Sequence, residues 1–400
     1  MVEIHGTCDE RFDSVKSAFK QNFEEDLEVG ASLAVTLKGE LVVDLWGGHM
    51  DASKSVLWEQ DTIVNVYSTT KVMGSLCMHM LVDRGLIDLY APVAKYWPEF
   101  GQKGKETMLV RHLLSHTSGI PRFDDPITVP DLYRWDAMSS MLASQKPWWK
   151  PGTRIGYQSI TFSFLIGEIV RRELRKSGNA STTIGNFFRN EVAEPLNIDF
   201  HIGLDEKHDN RVAELIDSHG TVPKFLASLF KILKPRTFKV FFNPDPSELM
   251  IHSQTREWRA AELPSSNGHG NARSIARVGA ILACGGKLDN QQIISKSAVE
   301  NSLKEQIYGR DKIGIGFDKV RWGLGWALES PIEKNQGELA IGPHTFHWGG
   351  WGGSKCIMDY DKQVSVGYAM NKMGPTVEKD LRAPRILKEV KKILQTIKNS

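Results

Sequence analysis

Tyr67-Ser68-Thr69-Thr70-Lys71 opens a segment in which Val72, Met73, Leu76, Cys77, Met80 and Leu81 recur at helical spacing. Arg84-Gly85 closes that segment with a cationic last turn and a C-terminal glycine, so the spacing predicts a helix with Ser68 at its mouth. Residues three apart share a helix face, which sets the Ser68 hydroxyl beside the Lys71 amine. A helix N-terminus also offers free N–H groups and the positive end of the dipole to developing negative charge. One turn then carries a nucleophile, a candidate base and part of an anion site. The first expectation is serine hydrolysis.

Spacing alone does not carry that expectation. Ser17-Ala18-Phe19-Lys20 and Ser228-Leu229-Phe230-Lys231 repeat the Ser-x-x-Lys pattern and read as ordinary helix residues. The surroundings must supply the rest. Upstream, residues 11–28 form an amphipathic pattern with Phe12, Val15, Phe19 and Phe23 on one stripe. Residues 30–37 and 40–45 are apolar and partly β-branched, joined by Lys38-Gly39, which is a hairpin signal. Downstream, Ser115-His116-Thr117-Ser118-Gly119 is rich in turn formers, and helical patterns follow at 161–174 and 274–284. Near the end, two strands at 354–360 and 364–370 flank Asp361-Lys362, and a last helix at 381–398 carries Leu387, Val390, Leu394 and Ile397 on one side. Strands gather at the two ends of the chain and helices fill its middle. The arrangement expected is an α/β (α+β) fold: one antiparallel sheet built from both ends, flanked by the terminal helices, with a helical lobe inserted.

The bulk composition narrows the classes. The 400 residues are 41% hydrophobic and 24% charged, with a net charge of +2, which gives no nucleic-acid surface and no strongly acidic partner. The four cysteines, Cys8, Cys77, Cys284 and Cys356, are scattered without metal spacing or a disulfide framework, as expected in a reducing compartment. Residues 1–10 lack the design of a signal or transit peptide, and no apolar run spans a membrane. The expectation is a cytoplasmic protein without a transmembrane segment, with homo-oligomer formation left open.

Several motifs in order give the chain a family. Besides 67–71 these are Val82-Asp83-Arg84-Gly85-Leu86-Ile87-Asp88, Ala94-Lys95-Tyr96-Trp97-Pro98-Glu99-Phe100 and Arg111-His112-Leu113-Leu114-Ser115-His116-Thr117-Ser118-Gly119. Gly156-Tyr157-Gln158-Ser159, Asn267-Gly268-His269-Gly270 and Trp348-Gly349-Gly350 complete the set. Over residues 10–375 the chain resembles the serine β-lactamase and penicillin-binding protein superfamily, in the class C-like branch that holds the family VIII esterases and animal β-lactamase-domain proteins. The resemblance implies a sheet lobe from about 10–60 and 320–398 and a mainly helical lobe at about 61–319. It implies an acyl-enzyme on Ser68, Lys71 as the activating neighbour and Tyr157 as the tyrosine that assists proton transfer. Whether Lys71 or Tyr157 is the principal base stays open. Trp348-Gly349-Gly350 stands for the family's Lys-Thr-Gly strand. The backbone N–H groups of Ser68 and Trp351 are the implied oxyanion hole, and no cofactor or metal is implied.

The departures bear on substrate. Ser159 replaces the usual asparagine of Tyr-x-Asn, and a hydroxyl reaches less far than a carboxamide. Trp348 replaces the lysine of Lys-Thr-Gly, exchanging a cation for an apolar wall with one donor. A neutral small-molecule ester or amide, rather than a β-lactam or peptide carboxylate, is the expected substrate, unless Arg273 or Arg321 supplies the lost cation. β-Lactamase or D,D-peptidase activity and a non-catalytic, polymer-forming scaffold are the alternatives. His116 reads as a backbone-bonded turn residue, His269 as a candidate pocket wall, and His347 as facing away from Trp348. Residues 223–246 interleave lysines with phenylalanines and leucines. They read as packed short helices or as a lid or membrane-surface contact.

Overall fold

The structure is a computed structural model that describes residues 2–176, 178, 182–217, 243–313, 319–329, 339–374 and 380–397. Most of the lysine- and phenylalanine-rich segment, including Ser228-Leu229-Phe230-Lys231, lies outside the described residues.

The main sheet joins the two ends of the chain. Its nine strands run in the order β1-β3-β2-β14-β13-β12-β11-β10-β9. The early strands are β1 (Ile4–Cys8), β2 (Gly30–Leu37) and β3 (Glu40–Gly48). The late ones are β9 (Ile307–Gly309), β10 (Val320–Trp322), β11 (Ala327–Leu328), β12 (Thr345–Gly349), β13 (Lys355–Asp359) and β14 (Val364–Met370). Every neighbouring pair is antiparallel, and β2 meets β14 from Ala31↔Met370 to Leu37↔Val364. The β2–β3 hairpin turns on Lys38 (φ +53°) and Gly39 (φ +86°), the two positive φ angles that a tight primed turn requires. Strands β1 and β9–β11 carry too few apolar residues each to stand out in the sequence, and they form because the sheet edge offers them partners.

One face of the sheet is covered by the two terminal helices, α1 (Asp13–Glu24) and Arg382–Ile397, which pack on each other. The stripe expected on α1 is buried throughout, from Phe12 and Val15 to Phe19 and Phe23. Helix Ala272–Ala283 packs on the opposite side of the fold, against β2, β13 and β14. Ser17 and Lys20 lie on α1 and behave as surface residues: the Ser17 hydroxyl donates back to Asp13 O and Lys20 pairs with Glu24.

The inserted segment is mainly helical. It includes α2 (Lys71–Asp83), α3 (Val110–Leu114), α4 (Trp135–Ser144) and α5 (Thr161–Lys176), with a small sheet of β4 (Val64–Asn65), β5 (Phe200–His201) and β6 (His269–Gly270) and a two-stranded pair of β7 (Lys287–Leu288) and β8 (Gln291–Gln292). Helix α2 differs from the one-faced helix its spacing predicts. Every residue from Lys71 to Leu81 is buried, so α2 is the axis of the lobe rather than part of its surface. Burying a Leu76 or Leu81 side chain fully contributes about 1.5–3 kcal/mol each. Gly74 lets the 263–266 segment lie against the helix, since a Cβ there would meet the Pro264 carbonyl at 2.8 Å.

Candidate active site

Ser68 is not in the first turn of an α-helix, as the spacing predicts. Residues Tyr67–Thr70 form a 3-10 turn that leads into α2. The turn begins at Tyr67 with φ +41°, a conformation that a bulky residue holds at roughly 1–3 kcal/mol of strain. Several contacts enforce it. The Val66 N–H donates to Gly268 O at 2.9 Å, and the Ser354 hydroxyl donates to Val66 O at 2.8 Å. The Thr70 hydroxyl donates to Tyr67 O at 2.5 Å and accepts from the Gly268 N–H at 2.9 Å. The serine is thus pinned by segments some 200 and 286 residues further along the chain.

Lys71 is completely buried, and its Nζ donates to Ser159 O at 2.8 Å and to Ser265 O at 3.0 Å. The same nitrogen lies 3.3 Å from Ser68 Oγ. Burial, and then the positive charge of Arg122, hold the Lys71 amine well below the ordinary lysine range. A neutral amine has two N–H bonds and one lone pair. The two carbonyls take the two donors, so the lone pair is left facing Ser68.

The Tyr157 hydroxyl donates to Ser68 Oγ at 2.8 Å. Burial pushes that hydroxyl up to about 12, against the opposing effects of its bond to Ser68 and the charge of Arg122. Tyr157 is therefore neutral at ordinary pH and able to donate, while the shift at Lys71 favours its free amine.

Trp348 is buried at 3% exposure, with its ring 5.7 Å from Tyr157 and 4.8 Å from Trp322. Its indole N–H makes no well-formed hydrogen bond among the described residues, yet its positive end favours charge on the Tyr157 oxygen. Gly349 ends β12, and Gly350 starts the turn that packs on the nucleophile. A Cβ on Gly350 would overlap the Val66 carbonyl oxygen and the Ser354 hydroxyl. The Trp351 ring lies 5.1 Å from that of Tyr67. The turn at 349–353 and the turn at 67–70 are thus in direct contact, which brings the sequence-expected residues together from both ends of the chain.

Other expected residues fall elsewhere or act differently. Ser159 reaches the site through its carbonyl on Lys71, a backbone role that its side chain did not signal. The intervening Gln158 is fully buried and accepts from Ser118 at 2.8 Å. Arg273 is engaged with Asp44 at 2.7 Å and Arg321 with Glu305 at 2.7 Å, so neither stands in for the missing lysine. The cation beside the site is Arg122, which the sequence hides in a turn with two aspartates close behind it. His269 sits on β6, where burial and then Arg259 bring its imidazole down to about 3; its charged neighbours are Arg259, His201 and Arg256, not Lys71. His347 behaves as alternation requires: burial and Lys355 bring it down to about 3, on the face opposite Trp348. His116 is backbone-bonded in its turn, as expected, and it also packs on the rings of the site. Its Nδ1 accepts from the Gln158 N–H at 3.2 Å, and its ring stacks on Trp348 at 5.5 Å and meets Tyr157 at 5.1 Å. It packs against the Tyr157 ring, whose hydroxyl meets Ser68, and against Trp348 beside it.

A serine flanked by a buried lysine and a tyrosine, where a helical lobe meets an antiparallel sheet, defines the class: a serine hydrolase of the β-lactamase/transpeptidase-like fold. Residues 19–391 match the family profile described as Beta-lactamase. The chain is 33% identical over 303 residues to the Esterase/beta-lactamase LipL of Mycobacterium tuberculosis, covering 74% of this chain and 68% of that one. Its fold is similar to the crystal structure of a family VIII carboxylesterase, with a TM-score of 0.85, 36% identity, and 98% and 100% of the two chains covered. A penicillin-binding protein homolog from Caulobacter crescentus aligns over the same shares at a TM-score of 0.85 and 33% identity. The chain belongs to the β-lactamase family.

Proposed function

We propose that the protein hydrolyses a neutral carboxylic ester through an acyl-enzyme on Ser68. The observation that carries this reading is the single Ser68 Oγ with a depressed lysine at 3.3 Å on one side and a tyrosine hydroxyl at 2.8 Å on the other. The Lys71 lone pair takes the Ser68 proton as Oγ bonds to the acyl carbon, and the carbonyl π pair moves onto oxygen. That oxyanion lies against the backbone N–H groups of Ser68 and Trp351, each such donor contributing about 2.7–4 kcal/mol. On collapse the acyl–oxygen bond to the alkoxide breaks. Tyr157 gives its proton to the departing oxygen and recovers one from Lys71. Water then repeats the sequence in reverse and releases the acid.

The wall opposite Ser68 supports the ester assignment. Trp348, Gly349 and Gly350 place a neutral aromatic side chain and backbone where a lysine would recognise a carboxylate, and the Trp348 N–H acts on the Tyr157 oxygen. The Ser159 hydroxyl is assigned to substrate contact. A cytoplasmic setting, a small-molecule substrate without nucleic acid, and self-association in solution complete the proposal. Among the described residues no helix is long and apolar enough to cross a membrane.

Intact-mass spectrometry after exposure to a fluorophosphonate tests the nucleophile. One adduct on wild type and none on Ser68→Ala is the expected result, followed by turnover of p-nitrophenyl butyrate in preference to nitrocefin. A well-folded wild type without an adduct would leave the scaffold alternative in its place.

A further inference from the structure

Arg122 lies just beyond the Gly119-Ile120-Pro121 turn and is buried at 6% exposure. Its Nη1 donates to Pro121 O at 2.8 Å and to Tyr157 O at 3.1 Å. The other end of the same residue is held as well: the Tyr157 N–H donates to Asp311 Oδ2 at 2.8 Å. Asp311 is itself fixed, its second oxygen accepting from the Ile313 N–H at 2.6 Å. On either side of Tyr157, Gly156 N–H donates to His116 O at 2.9 Å and Gln158 N–H to His116 Nδ1 at 3.2 Å. The residue whose hydroxyl meets Ser68 is therefore gripped by a cation at its carbonyl and an anion at its N–H.

We propose that Arg122 is a positioning residue of this site, holding the Tyr157 peptide in place and setting a fixed, buried positive charge beside the Lys71 amine. The inference rests on the reading of Ser68 as nucleophile. The charged and titratable groups facing Lys71 are few. Tyr157 presents its ring at 5.0 Å, His116 is held well below the ordinary imidazole range chiefly by burial, and Arg122 supplies the positive field. Among the described residues no carboxylate pairs with Lys71, and Asp311 acts on Arg122 instead. Where the family's lysine would stand there is a neutral indole, so Arg122 is the cation whose field favours both the free Lys71 amine and charge on the Tyr157 oxygen. Burial is the larger cause of the Lys71 shift, and it persists without Arg122. Removing the arginine therefore moves the proton affinity of Lys71 upward without restoring it to that of an exposed lysine.

The test is the pH dependence of Ser68 phosphonylation by a fluorophosphonate, followed by intact mass on the full chain. Labelling requires the free amine, so its rate rises with pH through an acid limb. For Arg122→Gln that limb should move to higher pH, with labelling several-fold slower on the limb and unchanged on the plateau. Arg122→Lys should keep the limb in place while lowering the plateau, because a shorter, freely rotating ammonium does not hold one nitrogen on both carbonyls as the rigid guanidinium does. A uniform slowing of Arg122→Gln at every pH, with the limb unmoved, would overturn the proposal. If Arg122→Gln does not fold, Arg122→Lys decides: a limb moved to higher pH with the plateau unchanged overturns it. Wild type that never labels overturns the Ser68 reading and this inference together, whereas labelled wild type with the Arg122→Gln limb unmoved removes this inference alone.

Discussion

Two of the clusters in which the fold buries charge are treated in opposite ways. Between the terminal helix and the sheet, Arg382 is exposed by only 2% and all of its reach is matched: Glu28 at 3.0 Å, Asp380 at 2.7 and 2.8 Å, and the carbonyls of Lys372 and Gly352 at 2.7 Å each. Burial alone would lower the Arg382 guanidinium, but Glu28 and Asp380 outweigh it and raise it. Around Ser68 the balance fails by design. Lys71 and Arg122 are buried close together, Lys71 is met by carbonyls and not by a carboxylate, and its proton affinity falls as a result. A compensated cluster holds the architecture together. A buried lysine met by carbonyls and no carboxylate stores free energy in the form of a reactive protonation state.

The largest effect expected from this contrast is at Lys71. Lys71→Met should lower acylation by about 10⁴-fold or more, the scale seen when one member of an activated nucleophile set is lost. Its melting temperature at pH 7 should equal or exceed that of wild type, because a desolvated amine is replaced by an apolar chain of similar length. The pH dependence sharpens the point. In the interval between the depressed folded value and the ordinary 10.5, the unfolded chain binds a proton at Lys71 that the native state does not. Wild-type stability should therefore rise with pH across that interval, and the margin of Lys71→Met should narrow, as denaturant titrations at several pH values would reveal. A large drop in melting temperature for Lys71→Met would break the comparison.

Arg382→Met should do the reverse, destabilising the fold by about 3–5 kcal/mol, because Glu28 and Asp380 are left buried without their partner. Urea unfolding with unchanged m-value measures it. Since Arg382 also holds Gly352, within the turn at 349–353, the folded fraction should label more slowly with fluorophosphonate. Next in size is Gly350→Ala. The added methyl meets backbone at Val66, so a loss of about 1–3 kcal/mol is expected together with slower acylation, read from chemical denaturation and labelling in parallel. Smallest is Ser17→Ala, within the other described Ser-x-x-Lys: stability should change by less than about 0.5 kcal/mol and labelling not at all. A measurable loss of activity there would mean that spacing alone had been underrated.

Much of the scaffold was legible in the sequence because its signals are local. The α1 stripe, the Lys38-Gly39 hairpin, the β13–β14 pair and the terminal helix each announce themselves within a dozen residues. The short strands β9–β11 were not, since two or three residues carry no period of their own and exist by pairing. The 3-10 form of the Ser68 turn was hidden for a related reason. Its positive φ at Tyr67 is imposed by Gly268 and Ser354, contacts that no local preference encodes.

What the sequence determined by itself was the inventory of chemistry: a serine and a lysine three residues apart on a helix-forming stretch, and a tryptophan where the family carries a lysine. Periodicity and motif order suffice for that, because covalent spacing fixes which side chains share a turn. The tertiary structure alone decided how those groups are protonated and held. The depressed amine of Lys71 depends on desolvation by α5 and the 265 segment and on the field of Arg122, and the Tyr157 peptide is held between Arg122 and Asp311. Proton affinity is set by what surrounds a group in three dimensions, and those surroundings come from residues up to 194 positions away from Lys71.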